Sequence, residues 1–450
     1  MICREIKWRS PYSAFAPLAG EVHAHLLHGG DLSSAAEWSV IAAFPEDVLT
    51  LEGQDGDAWL QALQAKLNER ALEREALPCD APLLSGLVGY VGYEALAALE
   101  PSLRLPPSPY GFADAVFGAY DATAVFSRQK RRAWIAGRSE KACARLEAAL
   151  GDNDALPVKP PPFTSLTSNF SRRDYVAAVD DITARIRNGD FYQTNIAQCL
   201  SAKTDAPFSP FDLFRFIAGG SDSFFGAFLQ YEQGGILSNS PERFFQVPPM
   251  GNAPNRIVVE PIKGTRSRAA FADEDARLAR ELQDDPKDRA ENIMIADLMR
   301  NDLSKICKDY SIREDAICEL MSLSRVHHLV SRISGELQEG VSLTDILRAL
   351  FPSGSITGAP KIEAMRAIAK VEGVGRGPYC GAIGYIDDGG GADFAVAIRT
   401  MMTGDAGQRL SVPVGGGVTL RSEPKAEYEE TLIKASGALG GAIDPWRYLS

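Results

Sequence analysis

The strongest constraint on the fold of this chain is the order in which strand-like and helical stretches follow one another between residues 171 and 440. Runs rich in β-branched and aromatic residues at 191–197, 224–229, 381–386, 392–400 and 410–414 read as strands. Helical spacing is expected over 172–188, 266–306, 341–351 and 424–439. The two kinds do not alternate in a βαβ beat, which a parallel sheet would need. The expectation is therefore α+β, with large, mostly antiparallel sheets.

At 450 residues the chain exceeds one simple core. The run Leu156-Pro157-Val158-Lys159-Pro160-Pro161-Pro162 can continue neither helix nor strand. It divides an N-terminal α+β region, 1–155, from a region spanning 171–446, with 156–170 as linker. Ser171 is a helix N-cap, Val176, Val179, Ile182 and Ile186 form one apolar stripe, and Asn188-Gly189 stops the helix. In the N-terminal region, Leu87-Val88-Gly89-Tyr90-Val91-Gly92-Tyr93 alternates small and large residues, as a buried strand touched closely by another backbone would.

A formal charge of −12 argues against nucleic-acid and anionic-membrane partners, which need basic surface. Seven scattered cysteines without C-x-x-C spacing fit reduced thiols. With no apolar leader after Met1 and no stretch suited to a bilayer, a cytoplasmic location is expected.

Two carboxylate pairs stand at i, i+3 near helix starts: Asp288 with Glu291 after Pro286, and Glu427 with Glu430 after Pro424. Each pair shares a helix face, and like charges so close are costly without a cation. If the helices face one another, they make an oxygen-only cage suited to Mg²⁺. Alternatively, acids in a first turn simply complement the helix dipole, and Glu430 pairs with Lys434. Lys263 follows the run Val258-Val259-Glu260-Pro261, which places it on a tight turn at a strand end, as a site lysine or an ordinary surface one. Gly415, Gly416 and Gly417 after a strand can offer bare N–H groups to an anion, and Arg399 at a strand end can clamp a carboxylate or form a salt bridge. Gly354-Ser355-Ile356-Thr357-Gly358-Ala359-Pro360-Lys361 misses the P-loop pattern at Pro360 and Ile362, and reads as a Gly-rich turn opening a helix. His327-His328 is a polar pair in an apolar setting, either satisfied in a core or poised for proton transfer. His23 and His25 would share a strand face, but no third ligand completes a metal set.

The order and wording of these stretches resemble the chorismate-utilising enzymes, which include anthranilate synthase component I, aminodeoxychorismate synthase component I, isochorismate synthase and salicylate synthase. The stretches that carry the resemblance include Gly189-Asp190-Phe191-Tyr192-Gln193, Ser240-Pro241-Glu242-Arg243-Phe244, Pro261 to Thr265 and Glu291 to Asp302. Beyond them come His328-Leu329-Val330-Ser331, Phe351 to Lys361, Ala397-Ile398-Arg399-Thr400 and Glu427 to Thr431. The resemblance implies a sandwich of antiparallel sheets with helices outside, and a Mg²⁺-dependent chorismate site. By position, Glu291 and Glu430 would bind the metal directly, and Asp288 and Glu427 through water. Gln193, Thr265, Thr357, Tyr379, Arg399, Gly415, Gly416, Gly417 and Lys434 would surround the substrate, with His328 as the acid for the departing hydroxyl. The water-adding branch carries a lysine where this chain has Gln193, and glutamine cannot serve as a base. Lys263 resembles the nucleophile of the aminodeoxychorismate branch, where anthranilate synthases usually carry alanine. The implied reaction is amination of chorismate at C4, and no glutaminase-like segment is visible, so the ammonia is expected from a separate glutamine amidotransferase subunit.

Overall fold

A computed structural model of the chain describes residues 1–29, 37–53, 55–72, 81–100, 102–152, 157–221, 223–249 and 255–449. Leu156 of the proline-rich stretch lies outside these residues. Among the described residues the strands form two antiparallel sheets, one of twelve strands and one of ten. The sheets face each other across apolar clusters that draw on both. In one, Tyr90, Val116 and Ile383 of the smaller sheet meet Leu229, Tyr231 and Ile236 of the larger. The sandwich implied by the family resemblance is the observed fold.

Strands from either side of the proline-rich stretch are interleaved in both sheets. His25–His28 pairs with Phe225–Tyr231, and Gly86–Val91 pairs with Ala382–Asp387. The other neighbour of Gly86–Val91, the strand Ala115–Tyr120, explains the small–large alternation. A Cβ on Gly89 would lie 1.9 Å from the Val116 carbonyl oxygen, so only glycine lets the backbones approach. The stretch read as linker carries a strand, Phe163–Ser168, laid against Gln193–Thr204.

Helix signals hold where caps are explicit. The helix Arg172–Asn188 has the Ser171 hydroxyl accepting the Asp174 N–H and stops at left-handed Gly189. The helix expected over 266–306 is instead a strand to Ser267 followed by two helices, Ala272–Asp284 and Pro286–Leu303. Asp285 breaks the run: its extended backbone precedes Pro286, and its carboxylate accepts the N–H groups of Lys287 and Asp288. The strand expected over 392–400 ends at Val396, because Arg399 adopts a positive φ of 51° before a new strand starts at Thr400.

His23 is not on a strand face with His25. It sits before the His25–His28 strand with φ 62°, while His25 is fully buried and held near pKa 3 by desolvation. Among the described residues, no helix is long and apolar enough to cross a membrane.

Candidate active site

Lys263 does not stand on a turn. Pro261 separates two strands, Arg256–Glu260 and Ile262–Ser267, and both pair with Val326–Glu336. Lys263 lies opposite Leu329 and Thr265 opposite His328, so Gly264, at φ 83°, is the extra residue of a bulge. The bulge brings Thr265 Oγ1 to 2.9 Å from His328 Nδ1, and the Gly264 carbonyl lies 3.4 Å from the same nitrogen. These contacts orient the imidazole. Its neighbour His327 is instead tied to Asp275 at 3.0 Å and Ser322 at 2.8 Å, which is a structural role.

The Lys263 ammonium is partly buried and donates to the Ser355 carbonyl at 2.9 Å. Desolvation pulls its pKa below the usual lysine range, against the attraction of Glu242, Glu291 and Glu430. Glu242, itself buried, has its carboxyl pushed up to about 7, mainly by desolvation, although the Ser355 hydroxyl and the Ile262 N–H bond to it. The lysine and the acid therefore both lean towards their neutral forms, an arrangement that suits proton exchange between them. Glu242 lies inside a stretch whose likeness to the family was visible, yet its role was not. The available signal was an acid held by a Ser-Pro turn at the entry to the buried aromatics Phe244 and Phe245.

Gly415, Gly416 and Gly417 belong to the strand Arg409–Val418, not to a loop after it, and pair with Ala197, Ile196 and Asn195. The Gly415 carbonyl accepts from Lys434 Nζ at 2.8 Å, so alternate backbone groups still face away from the partner strand. The glycines also leave room for side chains. A Cβ on Gly417 would lie 2.4 Å from Gln193 Nε2 and 3.6 Å from Lys263 Nζ. A Cβ on Gly416 would lie 3.3 Å from Glu427 Oε2 and 3.8 Å from Glu430 Oε1. One glycine strand thus joins the lysine end of the site to the acidic end. Gln193 is buried with an unpartnered Oε1, an acceptor suited to a substrate hydroxyl.

The two acid-bearing helices face each other. Lys287 Nζ lies 3.9 Å from both Glu291 and Glu427, one on each helix. Burial raises the pKa of Asp288, Glu291 and Glu427, whereas Lys434, 2.7 Å from Glu430, lowers that of its partner. Asp288 is also paired with Arg266 at 3.0 Å. As the side chains stand, no three His, Cys, Asp or Glu residues among those described converge on an ion position. The donor set nonetheless fits a hard cation: it is carboxylate-only and half-desolvated, and Glu291 Oε1 has no hydrogen-bond partner.

Of the remaining residues, Thr357 is buried, donates to the Ser353 carbonyl at 3.0 Å, and accepts the Asn195 N–H at 2.8 Å. Tyr379 and Arg399 lie on adjoining segments, joined by the Cys380 N–H to the Ala397 carbonyl at 2.9 Å. Lys361 of the Gly-rich stretch turns inward to Asp302 at 3.0 Å and the Leu350 carbonyl at 2.8 Å, so it is a structural cation.

The profile of chorismate binding enzymes matches residues 30–440. The chain belongs to this family. Among relatives of this chorismate binding enzyme, aminodeoxychorismate synthase component 1 of Klebsiella aerogenes is 33% identical over 442 residues, covering 94% of this chain and 95% of its own. Anthranilate synthase component 1 of Synechocystis sp. is 34% identical over 397 residues, covering 81% of this chain and 77% of its own. The crystal structure of anthranilate synthase component I from Streptococcus pneumoniae TIGR4 matches with a TM-score of 0.76 at 28% identity, covering 90% of this chain and 93% of that one.

Proposed function

We propose that this enzyme aminates chorismate at C4 to give 4-amino-4-deoxychorismate, a precursor of 4-aminobenzoate and folate, with ammonia supplied by a separate glutamine amidotransferase subunit. The observation that carries the reading is Lys263, its pKa lowered by burial beside the near-neutral Glu242. A nucleophilic lysine needs a neutral amine and a place for its proton, and Glu242 offers that place. The near-full-length likeness to aminodeoxychorismate synthase component 1 supports the same branch.

In this mechanism the Lys263 amine adds at C2 of the ring, both ring double bonds shift (C1=C2 to C1=C6 and C5=C6 to C4=C5), and the C4 hydroxyl departs as water with a proton from His328. Glu242 takes the proton released by Lys263. Ammonia then adds at C4, both double bonds shift back, and the C2–N bond to Lys263 breaks, with Glu242 returning the proton to the amine. Two displacements give retention at C4. Gln193 orients the substrate without activating water, since its amide is no base. Glu291 and Glu430, with Asp288 and Glu427 behind them, would hold Mg²⁺. The ion would supply charge neutralisation for the substrate carboxylate and the departing hydroxyl.

The relatives named anthranilate synthase, at similar identity, favour a second reading in which the same site yields anthranilate and pyruvate. Incubation with chorismate, Mg²⁺ and ammonium separates the two by product. The first reading expects aminodeoxychorismate, and intact-mass analysis without ammonia should find a covalent adduct on the native chain that Lys263→Ala lacks. Anthranilate with pyruvate, or a variant as fast as the native enzyme, would overturn it.

A further inference from the structure

Behind the substrate side of the site lies a fully buried arginine for which the chemistry above has no use. Arg376 donates to both oxygens of Glu372, at 2.9 and 2.6 Å. Its remaining donors go to two backbone carbonyls, Ile356 at 3.1 Å and Asn195 at 3.0 Å. Both carbonyls belong to segments that build the site. Ile356 sits between Ser355, whose carbonyl receives the Lys263 ammonium, and Thr357. Asn195 is two residues beyond Gln193, and its own N–H bonds to the Thr357 carbonyl.

Glu372 takes part as well, since its Oε1 accepts the Ala197 N–H at 2.8 Å. The Arg376–Glu372 pair therefore ties the Gly-rich turn to the Gln193 strand at three points, the guanidinium at Ile356 and Asn195 and the carboxylate at Ala197. From the other side, Glu94 of the N-terminal region accepts the N–H groups of Arg376 and Gly377 at 2.7 and 2.8 Å, while Tyr93 lies 4.7 Å under the guanidinium.

We infer that Arg376, held by Glu372 and Glu94, is a positioning residue that fixes the turn bearing Ser355 and Thr357 relative to Gln193 and Lys263. Two physical arguments support it. A buried ion pair adds little stability compared with apolar side chains of similar size, so the pair is a poor stabilising device in itself. A planar guanidinium, by contrast, can serve one carboxylate and two carbonyls in fixed directions at once, which a lysine cannot. The arrangement also gives the N-terminal region a direct hold on the site through Glu94. As a statement about turnover, the inference rests on the proposed function. As a statement about the turn, it does not.

The test uses the full chain. Arg376→Met combined with Glu372→Met removes both charges together, so neither is left buried alone. With ammonium as nitrogen donor, kcat should fall about 10- to 100-fold, the range expected when reacting groups shift by about an ångström. The KM for chorismate should change less than about threefold, and the melting temperature little. Hydrogen exchange should quicken in peptides covering 353–359 and 193–197, and not in the distant strand 132–137. Arg376→Lys, which keeps the charge beside Glu372, should hold the melting temperature near native yet leave kcat reduced.

If the double variant fails to fold, Glu94→Gln, which leaves the guanidinium in place, is measured by the same exchange, and faster exchange at 353–359 is again expected. Unchanged exchange at 353–359 in a folded variant, or full kcat in Arg376→Lys, would overturn the inference. Failure of the proposed reaction would appear separately, as a native enzyme that makes no aminodeoxychorismate while the exchange result stands.

Discussion

Glu242→Gln keeps the shape of a buried side chain while removing its titration. In the native chain desolvation lifts the carboxyl from an ordinary 4.5 to about 7. A carboxyl whose folded pKa lies above its unfolded one favours the fold while protonated. Its contribution is whole below about 4.5 and is lost as the pH rises through about 7. Linkage sets the loss at no more than about 3.5 kcal/mol, at about 1.4 kcal/mol per pH unit between the two values. Lys263 keeps it from being larger, because its attraction favours the ionised acid.

Glutamine carries no such proton, so the variant should be flatter in pH. Urea unfolding of both proteins at half-unit steps from pH 5 to 8 provides the assay. The stability of the native protein minus that of Glu242→Gln should fall by about 2–3 kcal/mol across that range, its steepest part midway between the two pKa values, at about pH 6, and level by about pH 8. Glu94, also pushed up to about 7 by burial, is present in both proteins and cancels in the difference. A difference that stays level from pH 5 to 8 would refute the buried, proton-holding state of Glu242, and with it the proton path assigned to Lys263.

Three further outcomes are expected. Lys263→Arg should be as inactive as Lys263→Ala in a product assay with ammonium, since a guanidinium stays charged where the mechanism needs a neutral amine. Gly417→Ala should lower kcat/KM at least tenfold, about 1.4 kcal/mol, because the new methyl would sit 2.4 Å from Gln193 Nε2; a native-like value would show that this contact is relieved at no cost. Chelation should abolish turnover, and a Mg²⁺ titration of activity should require more metal in Glu291→Gln and less in Lys287→Met, whose native ammonium lies 3.9 Å from both Glu291 and Glu427.

What was legible of the candidate site is the geometry written in local spacing. The i, i+3 acids and the Pro before each pair set both helix faces, and those faces do meet. Lys263 was legible as a residue but not as a position. Pro261 suggested an end, whereas a neighbouring strand long enough to bond both sides of it carried the pairing through. The three glycines suggested a loop, and the partner strand Gln193–Thr204 turned them into sheet. Glu242, Ser355 and Arg376 were hidden for a related reason: each matters through a contact with a residue distant in sequence, and no local pattern records which acid or carbonyl will lie beside which cation. The helix break at Asp285 was missed despite a local signal, the Asp-Pro pair that caps the next helix.

The interleaving of the sheets has a consequence for how the chain comes into being. Gly86–Val91 has Ala115–Tyr120 beside it early, but its other edge waits for Ala382–Asp387. At about 5–20 residues per second, a ribosome needs on the order of 15–60 s to supply that partner. Through that interval the nascent sheet shows an open edge and an apolar face to the cell. Folding therefore cannot proceed as one finished half followed by another: the edge of Gly86–Val91 stays unpaired in the native sense until Ala382–Asp387 has emerged.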